Sequence, residues 1–441
     1  MYIRRSIDKV LDEWKREEKH KPLLIRGVRQ CGKTSAVREL GRSFDNYVEV
    51  NLERDTELHE LFMGDININR IIRRLELKAG IRIIPGKTLL FIDEIQNCPR
   101  ALTCLRYFYE DKPNLHVIAA GSLLEFVLGN KRRKETIEFP VGRIRSVYMY
   151  PLSFREFLRG TGKEILDDYL QDLDVDKDEN DAHEILIETY KDFLIAGGMP
   201  EAVAAFAESG SMVECQRVHR DIMQSMLEDF DKYDDEISSD LLKSVFMYAM
   251  HHVCSQTKSS SAMPDVSGYM FDACIELLRR AGLVYPVRAT SGTTLPMGAG
   301  EKDINRKLVV FDTGVYLTER GLDINDLLGA GLFNDLNKGT VVEMETGLEM
   351  IKYADSYRPP ELFYWYRSGA NAEVDYVICR NEVIYPVEVK SSGTGSMQSI
   401  YSYLKTHPDT DYGIRVSLED FNRYDRIKVY PVYAVSKFGM N

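Results

Sequence analysis

At 441 residues the chain is about three times the ~150 residues of one ordinary domain, so two to four domains with cores of their own are expected. Its 44% hydrophobic and 29% charged residues are a soluble globular balance, and a small disulfide- or metal-stapled module is excluded. Lys+Arg 57 against Asp+Glu 69 leaves a net charge of -12, which rules out a uniformly basic nucleic-acid coat and confines any DNA or RNA contact to a local patch.

The segment opens on two arginines, Arg4 and Arg5, with no apolar run behind them, so the first 21 residues read as an amphipathic helix and not as a secretory signal. No stretch approaches the ~20 apolar residues that span a bilayer, so no membrane partner is expected. The seven cysteines form no CxxC pair and are odd in number. A zinc cluster and a disulfide framework are both disfavoured, and a cytoplasmic location is expected.

Residues 1–150 alternate short apolar runs with longer mixed segments, at 22–25, 47–50, 88–92 and 116–120, with a fifth near 147–150. That alternation predicts an α/β fold with a parallel sheet whose strands are buried on both faces. Residues 151–235 read as a helical region. It is interrupted by an acidic stretch, 167–181, expected to be a solvated, flexible insertion. Asp174, Asp176 and Asp178 have calcium-loop spacing, but Glu179 stands where the loop needs Gly and Ile185 where it needs Glu. Residues 236–320 give two helices and then two strand-like runs, an order that predicts a winged helix. The last region, 330–441, shows a helix through Ile351, strands at 362–366, 373–379 and 383–390, and a helix near 396–405.

Gly27-Val28-Arg29-Gln30-Cys31-Gly32-Lys33-Thr34 matches GxxxxGK[ST] in full, between a predicted strand and the helix that opens at Thr34-Ser35. Glycines let the backbone wrap so that its N–H groups and the helix N-terminus face phosphate oxygens. Lys33 neutralises the β/γ oxygens, and Thr34 offers a hydroxyl to Mg²⁺. The apolar strand 89–92 ends in Asp93-Glu94, where Asp93 reaches the Mg²⁺ shell and Glu94 is placed to activate the attacking water. The guanine-type Asn-Lys-x-Asp loop is missing, since Asn337-Lys338-Gly339-Thr340 lacks the aspartate. ATP is therefore preferred, by elimination. Ser122, after the strand 116–120, can bond the water or the γ-phosphate, or can simply cap the helix that follows. Arg143 can supply charge to the transferring phosphoryl group, in cis or across the boundary of a homo-oligomer, or can be an ordinary surface arginine.

Further along, Glu373-Val374-Asp375 and Glu388-Val389-Lys390 lie on two strands joined by Arg380-Asn381-Glu382, which reads as a hairpin. Period-two alternation puts each charged pair on one face of its strand. Asp375 and Glu388 can hold Mg²⁺, with Glu343 from the preceding helix as a third acid. Lys390 can position water or stabilise phosphorane charge. A salt-bridged hairpin explains the same residues without metal. Pro386 removes a ladder donor and predicts an edge or bulge there.

The loop 27–34, Leu90-Phe91-Ile92-Asp93-Glu94-Ile95-Gln96, Ala119-Ala120-Gly121-Ser122, and Gly142-Arg143 with Pro151-Leu152-Ser153-Phe154 resemble the bacterial and archaeal AAA-type ATPases. The nearest group pairs that module with a C-terminal domain of unknown function of the DUF4143 type. Val28 replaces the Pro usual in that group's loop. The resemblance implies an ATPase core, a winged-helix segment and a restriction-endonuclease-like C-terminal domain, whose D…ExK metal site is matched by Asp375, Glu388 and Lys390. The function expected is Mg²⁺-dependent ATP hydrolysis coupled to the appended domains, acting on nucleic acid. The competing class is a nucleotide-switched interaction module with an inactive C-terminal domain. A small-molecule kinase ranks below both, because Glu94 beside Asp93 suits water activation.

Overall fold

The computed structural model describes residues 2–64, 66–121, 139–174, 180–231, 237–321, 336–367, 372–391 and 396–438, with the backbone alone at 300–304 and 336–338. It divides into two units. One comprises Met1–Tyr150, Glu228–Ser239 and Ser356–Pro359, and the other Pro151–Leu227, Asp240–Asp355 and Pro360–Asn441.

The first unit is built on five strands: β1 (Leu23–Arg26), β2 (Asn46–Asn51), β3 (Thr88–Asp93), β4 (His116–Ala120) and β5 (Arg145–Tyr148). All neighbours are parallel, in the order β2-β3-β4-β1-β5. Every residue of β3 and β4 is buried, as apolar runs covered on both faces must be. Leu89, Leu90, Phe91 and Ile92 each contribute about 2 kcal/mol of burial. Ile71 and Leu75 of the helix Ile68–Ala79 and Leu102, Leu105 and Phe108 of the helix Pro99–Asp111 complete one core. The amphipathic segment at the start forms the helix Ser6–Arg16, with Ile7, Leu11 and Trp14 inward at spacings of four and three.

The second unit holds an eight-stranded mixed sheet in the order β12-β13-β11-β10-β9-β8-β6-β7. Its strands are β6 (Val284–Thr290), β7 (Glu301–Val310), β8 (Leu362–Arg367), β9 (Ala372–Arg380), β10 (Val383–Val389), β11 (Gly413–Ser417), β12 (Asn422–Tyr424) and β13 (Ile427–Pro431). The helices Ser239–His251 and Gly268–Arg280 precede the antiparallel β6–β7 pair. β6 also pairs in parallel with β8, so this hairpin is the end of the large sheet. The β9–β10 hairpin turns through Asn381 and Glu382, both at positive φ, which suits the right-handed twist of its strands. Pro386 does not mark an edge or a bulge, because β10 lies between β9 and β11. Pairing with β11 starts at Val387, one residue on, so the missing N–H costs that ladder nothing.

The acidic stretch also differs from expectation. Residues 164–172 form a helix, and Asp167 is buried between Arg155 and Arg159, each 2.5 Å away. Those arginines stand four apart on the helix Phe154–Gly160 and converge on one carboxylate. Asp176, Asp178 and Glu179 lie outside the described residues.

Candidate functional site

The loop between β1 and the helix Lys33–Gly41 is set by backbone geometry that only some residues tolerate. Gly27 has φ of 151°, and a Cβ there would lie 2.0 Å from the Met149 carbonyl oxygen. Gly32, at φ 100°, caps the helix, so the free N–H groups of its first turn border the loop. Arg5 braces the loop from behind, donating to the carbonyls of Cys31 at 3.0 Å and Tyr150 at 2.6 Å. Arg29 pairs with the buried Asp229, in the last turn of the helix Met212–Asp231. Neither Arg5 nor Asp229 carries a motif that sequence reasoning could use.

Lys33 is buried and curls back over its own loop, its Nζ donating to the carbonyls of Gly27 and Val28 at 2.9 Å each. The next residue, Thr34, donates its hydroxyl to Asp93 Oδ2 at 2.9 Å, across 59 positions of sequence. β3 ends at Asp93, whose Oδ1 accepts the Glu94 N–H at 3.0 Å. Burial, and then the Glu94 charge, push the Asp93 carboxyl up to about 6, against the pull of the Thr34 and Glu94 hydrogen bonds. A carboxylate in that position gains from a cation beside it. Lys33, Thr34 and Asp93 therefore fit a phosphate-bound divalent ion, with Thr34 and Asp93 as its protein ligands.

Glu94 takes a left-handed backbone, φ 50°, an energetically costly choice for a residue with a Cβ. Its carboxylate accepts a short hydrogen bond from Gln96 Nε2. Gln96 is buried, and its Oε1 has no hydrogen-bond partner. The space it fills depends on Gly121 after β4, where a Cβ would come 2.3 Å from that oxygen. Gln96 was legible only as part of the run Asp93-Glu94-Ile95-Gln96; its role needs the strand order, in which β4 lies beside β3. Ser122 falls outside the described residues. Arg143 is exposed and pairs with Glu110 at 3.0 Å, which also holds Arg106.

In the second unit, Glu343, Glu373 and Asp375 converge, but on a residue that the motif does not contain. Lys307 of β7 lies 2.9 Å from Glu343, 2.5 Å from Glu373 and 3.3 Å from Asp375. Burial opposes its charge, and the surrounding carboxylates outweigh that, so the ammonium is held well above its ordinary range. Burial also raises the carboxyls of Glu343, to about 8, and of Glu388, to about 7, against the pull of Lys307 and Lys390. Lys390 pairs with Glu388 on its own strand at 2.6 Å. Among the described residues, no group of three His, Cys, Asp or Glu side chains is arranged to hold a metal ion. All seven cysteines are unbridged, and no described helix is long and apolar enough to cross a membrane.

Comparison with known proteins covers most of the chain. Residues 19–158 match the family described as AAA domain, 187–326 a domain of unknown function (DUF8612), and 338–435 a domain of unknown function (DUF4143). An uncharacterised protein of Methanocaldococcus jannaschii is 26% identical over 157 residues, which is 35% of this chain and only 30% of that protein. The Walker-type ATPase of Pyrococcus abyssi superposes with a TM-score of 0.43 at 16% identity, over 72% of this chain and 96% of its own. For the Orc1 protein of Aeropyrum pernix, solved in complex with DNA, the values are 0.27 and 13%, over 73% and 92%. Residues 19–158, with their parallel strand order and the Thr34–Asp93 contact beside the glycine loop, are therefore an AAA domain, and residues 338–435 a DUF4143 domain.

Proposed function

We propose that the protein binds ATP with Mg²⁺, hydrolyses it, and uses the nucleotide cycle to drive its appended domains. The observation that carries this reading is the 2.9 Å contact of Thr34 with Asp93 beside the buried Lys33. Lys33 exchanges its loop carbonyls for phosphate oxygens, and Thr34 and Asp93 hold the cation. Mg²⁺, when bound, draws negative charge off the phosphates. Glu94 accepts the proton of the attacking water, and Gln96 keeps that carboxylate aimed. The residues 27–35 form the phosphate cradle. Arg143 would have to leave Glu110 to serve as a phosphate contact, in cis or in a homo-oligomer.

Phosphate release from ATP, with no acceptor added, tests the proposal. Lys33→Ala should lose nucleotide binding. Glu94→Gln should bind ATP but turn it over about 10²- to 10⁴-fold more slowly. A Glu94→Gln protein hydrolysing at the parent rate would refute the role given to Glu94, and phosphate passing only to a metabolite would favour a kinase.

The order of two helices and a hairpin over 239–310 supports nucleic acid as the material acted on, which salt-dependent binding of DNA or RNA by the full chain would test. A second reading, in which the C-terminal domain holds a partner without cutting it, is favoured by the lysine standing among its acids.

A further inference from the structure

The acids of the C-terminal domain can be checked oxygen by oxygen against the needs of a divalent cation. Lys307 Nζ lies within 3.3 Å of Glu343 Oε1, Glu373 Oε1 and Asp375 Oδ1, and 5.3 Å from the centre of the Tyr364 ring. Its side chain is 2% exposed, so it is held among these acids away from solvent. The other Asp375 oxygen accepts the Val389 N–H at 2.8 Å. Glu388 Oε1 takes Lys390, and Glu388 Oε2 is buried without a hydrogen-bond partner. Both Asp375 oxygens are therefore engaged, one of them by a cation that the fold itself provides. Mg²⁺ demands close octahedral oxygen contacts and sheds its water reluctantly. An ammonium anchored among the same carboxylates takes those contacts and repels a second positive ion.

We propose that Lys307 is the resident cation of this cluster, standing in place of a divalent metal, so that the C-terminal domain works without metal-dependent cleavage. The lysine reaches the acids from β7, outside the D…ExK stretch, because β6 and β8 join the hairpin to the sheet that carries Asp375. This inference concerns the second unit alone and stands or falls separately from ATP hydrolysis.

Mn²⁺ binding to the nucleotide-free full chain, followed by electron paramagnetic resonance, tests it. The parent and Asp375→Asn should bind equal numbers of Mn²⁺. Lys307→Met should gain one ion per chain, and Lys307→Met with Asp375→Asn should lose that ion again. Any Mn²⁺ held at the ATP site is common to all four proteins and cancels. The proposal is overturned if Asp375→Asn binds one ion fewer than the parent, or if folded Lys307→Met gains none. Should Lys307→Met fold only when Mn²⁺ is present, that dependence is itself the gained site. If it folds under neither condition, the parent and Asp375→Asn decide: equal binding upholds the proposal and one lost ion ends it.

Discussion

The two units handle buried charge in opposite ways. In the first, among the described residues, Lys33 is tied only to carbonyls of its own loop, and Asp93 to a hydroxyl and a backbone N–H, with burial pushing it up to about 6. Among the described residues this set has no direct ion pair, and a phosphate-bound cation would complete it. In the second, each acid cluster encloses its own lysine. Lys307 sits among Glu343, Glu373 and Asp375, and Lys352 sits 2.7 Å from Glu345 and 3.3 Å from Glu349, with the Phe193 ring 5.2 Å away. Residue types are the same in both places. What separates a site waiting for a ligand from a self-neutralised core is where the nearest cation comes from.

That contrast breaks most visibly if Lys352 is removed. Lys352→Met leaves Glu345 and Glu349 buried without their counter-ion, and losing one partner of such a pair costs about 3–5 kcal/mol. Burial already lifts both carboxyls, and Lys352 pulls them partly back, so its loss lifts them further. An acid whose folded value is raised contributes stability below its unfolded value and loses it as pH rises through the folded one. The deficit should therefore be largest at neutral pH and shrink on acidification, as read by denaturant unfolding at pH 7.5 and pH 5. A variant as stable as the parent at pH 7.5 would show that the second unit does not depend on its internal lysines.

Much of the first unit was legible because each strand is a local apolar run buried on both faces. The runs at 88–92 and 116–120 correspond to β3 and β4 within a residue. The fifth was displaced: it pairs with β1 over Arg145–Tyr148, a strand that starts two residues before the apolar signal and buries only Val147. The loop and the acid pair were legible as motifs, whereas Gln96 needed the neighbouring strand and its glycine. In the second unit the β9–β10 hairpin followed from period-two alternation and its turn. Lys307 did not, since it reads as the polar start of the apolar run 308–311. Only the joining of two hairpins through β6 and β8 brings it to Asp375, 68 positions away.

The first unit should respond to acid in a direction of its own. His116 stacks on His20 at 3.8 Å, lies edge-on to Trp14 and Phe44, and donates Nε2–H to the Lys15 carbonyl at 3.1 Å. Its Nδ1 is buried with no partner to receive a second proton's bond. Burial, then the neighbouring His20, bring it down to about 4. A folded value below the unfolded one means stability present above about pH 6.5 and lost as pH falls through about 4, worth about 2 kcal/mol after solvent screening. His116→Phe should flatten that loss in acid unfolding curves followed by Trp14 fluorescence. An unchanged slope would remove His116 as its source.

The smallest effect sharpens the contrast at Glu94, the base proposed for ATP hydrolysis. Gln96 is the one neighbour whose hydrogen bond fixes the Glu94 carboxylate among the described contacts, and Gly121 gives it room. Gln96→Ala removes a charge-assisted bond worth about 1.5 kcal/mol, so kcat for ATP should fall about tenfold. KM should stay put, because neither the loop nor Lys33 touches Gln96 through any of the contacts described. Gly121→Ala should act in the same direction by displacing Gln96 Oε1 without changing any group that could meet the nucleotide. A fall in affinity with kcat unchanged would mean that Gln96 supports the fold around the loop. A selective loss of kcat in both variants would mean that the first unit holds its base as firmly as the second holds its lysines, through a neutral amide in place of a charge.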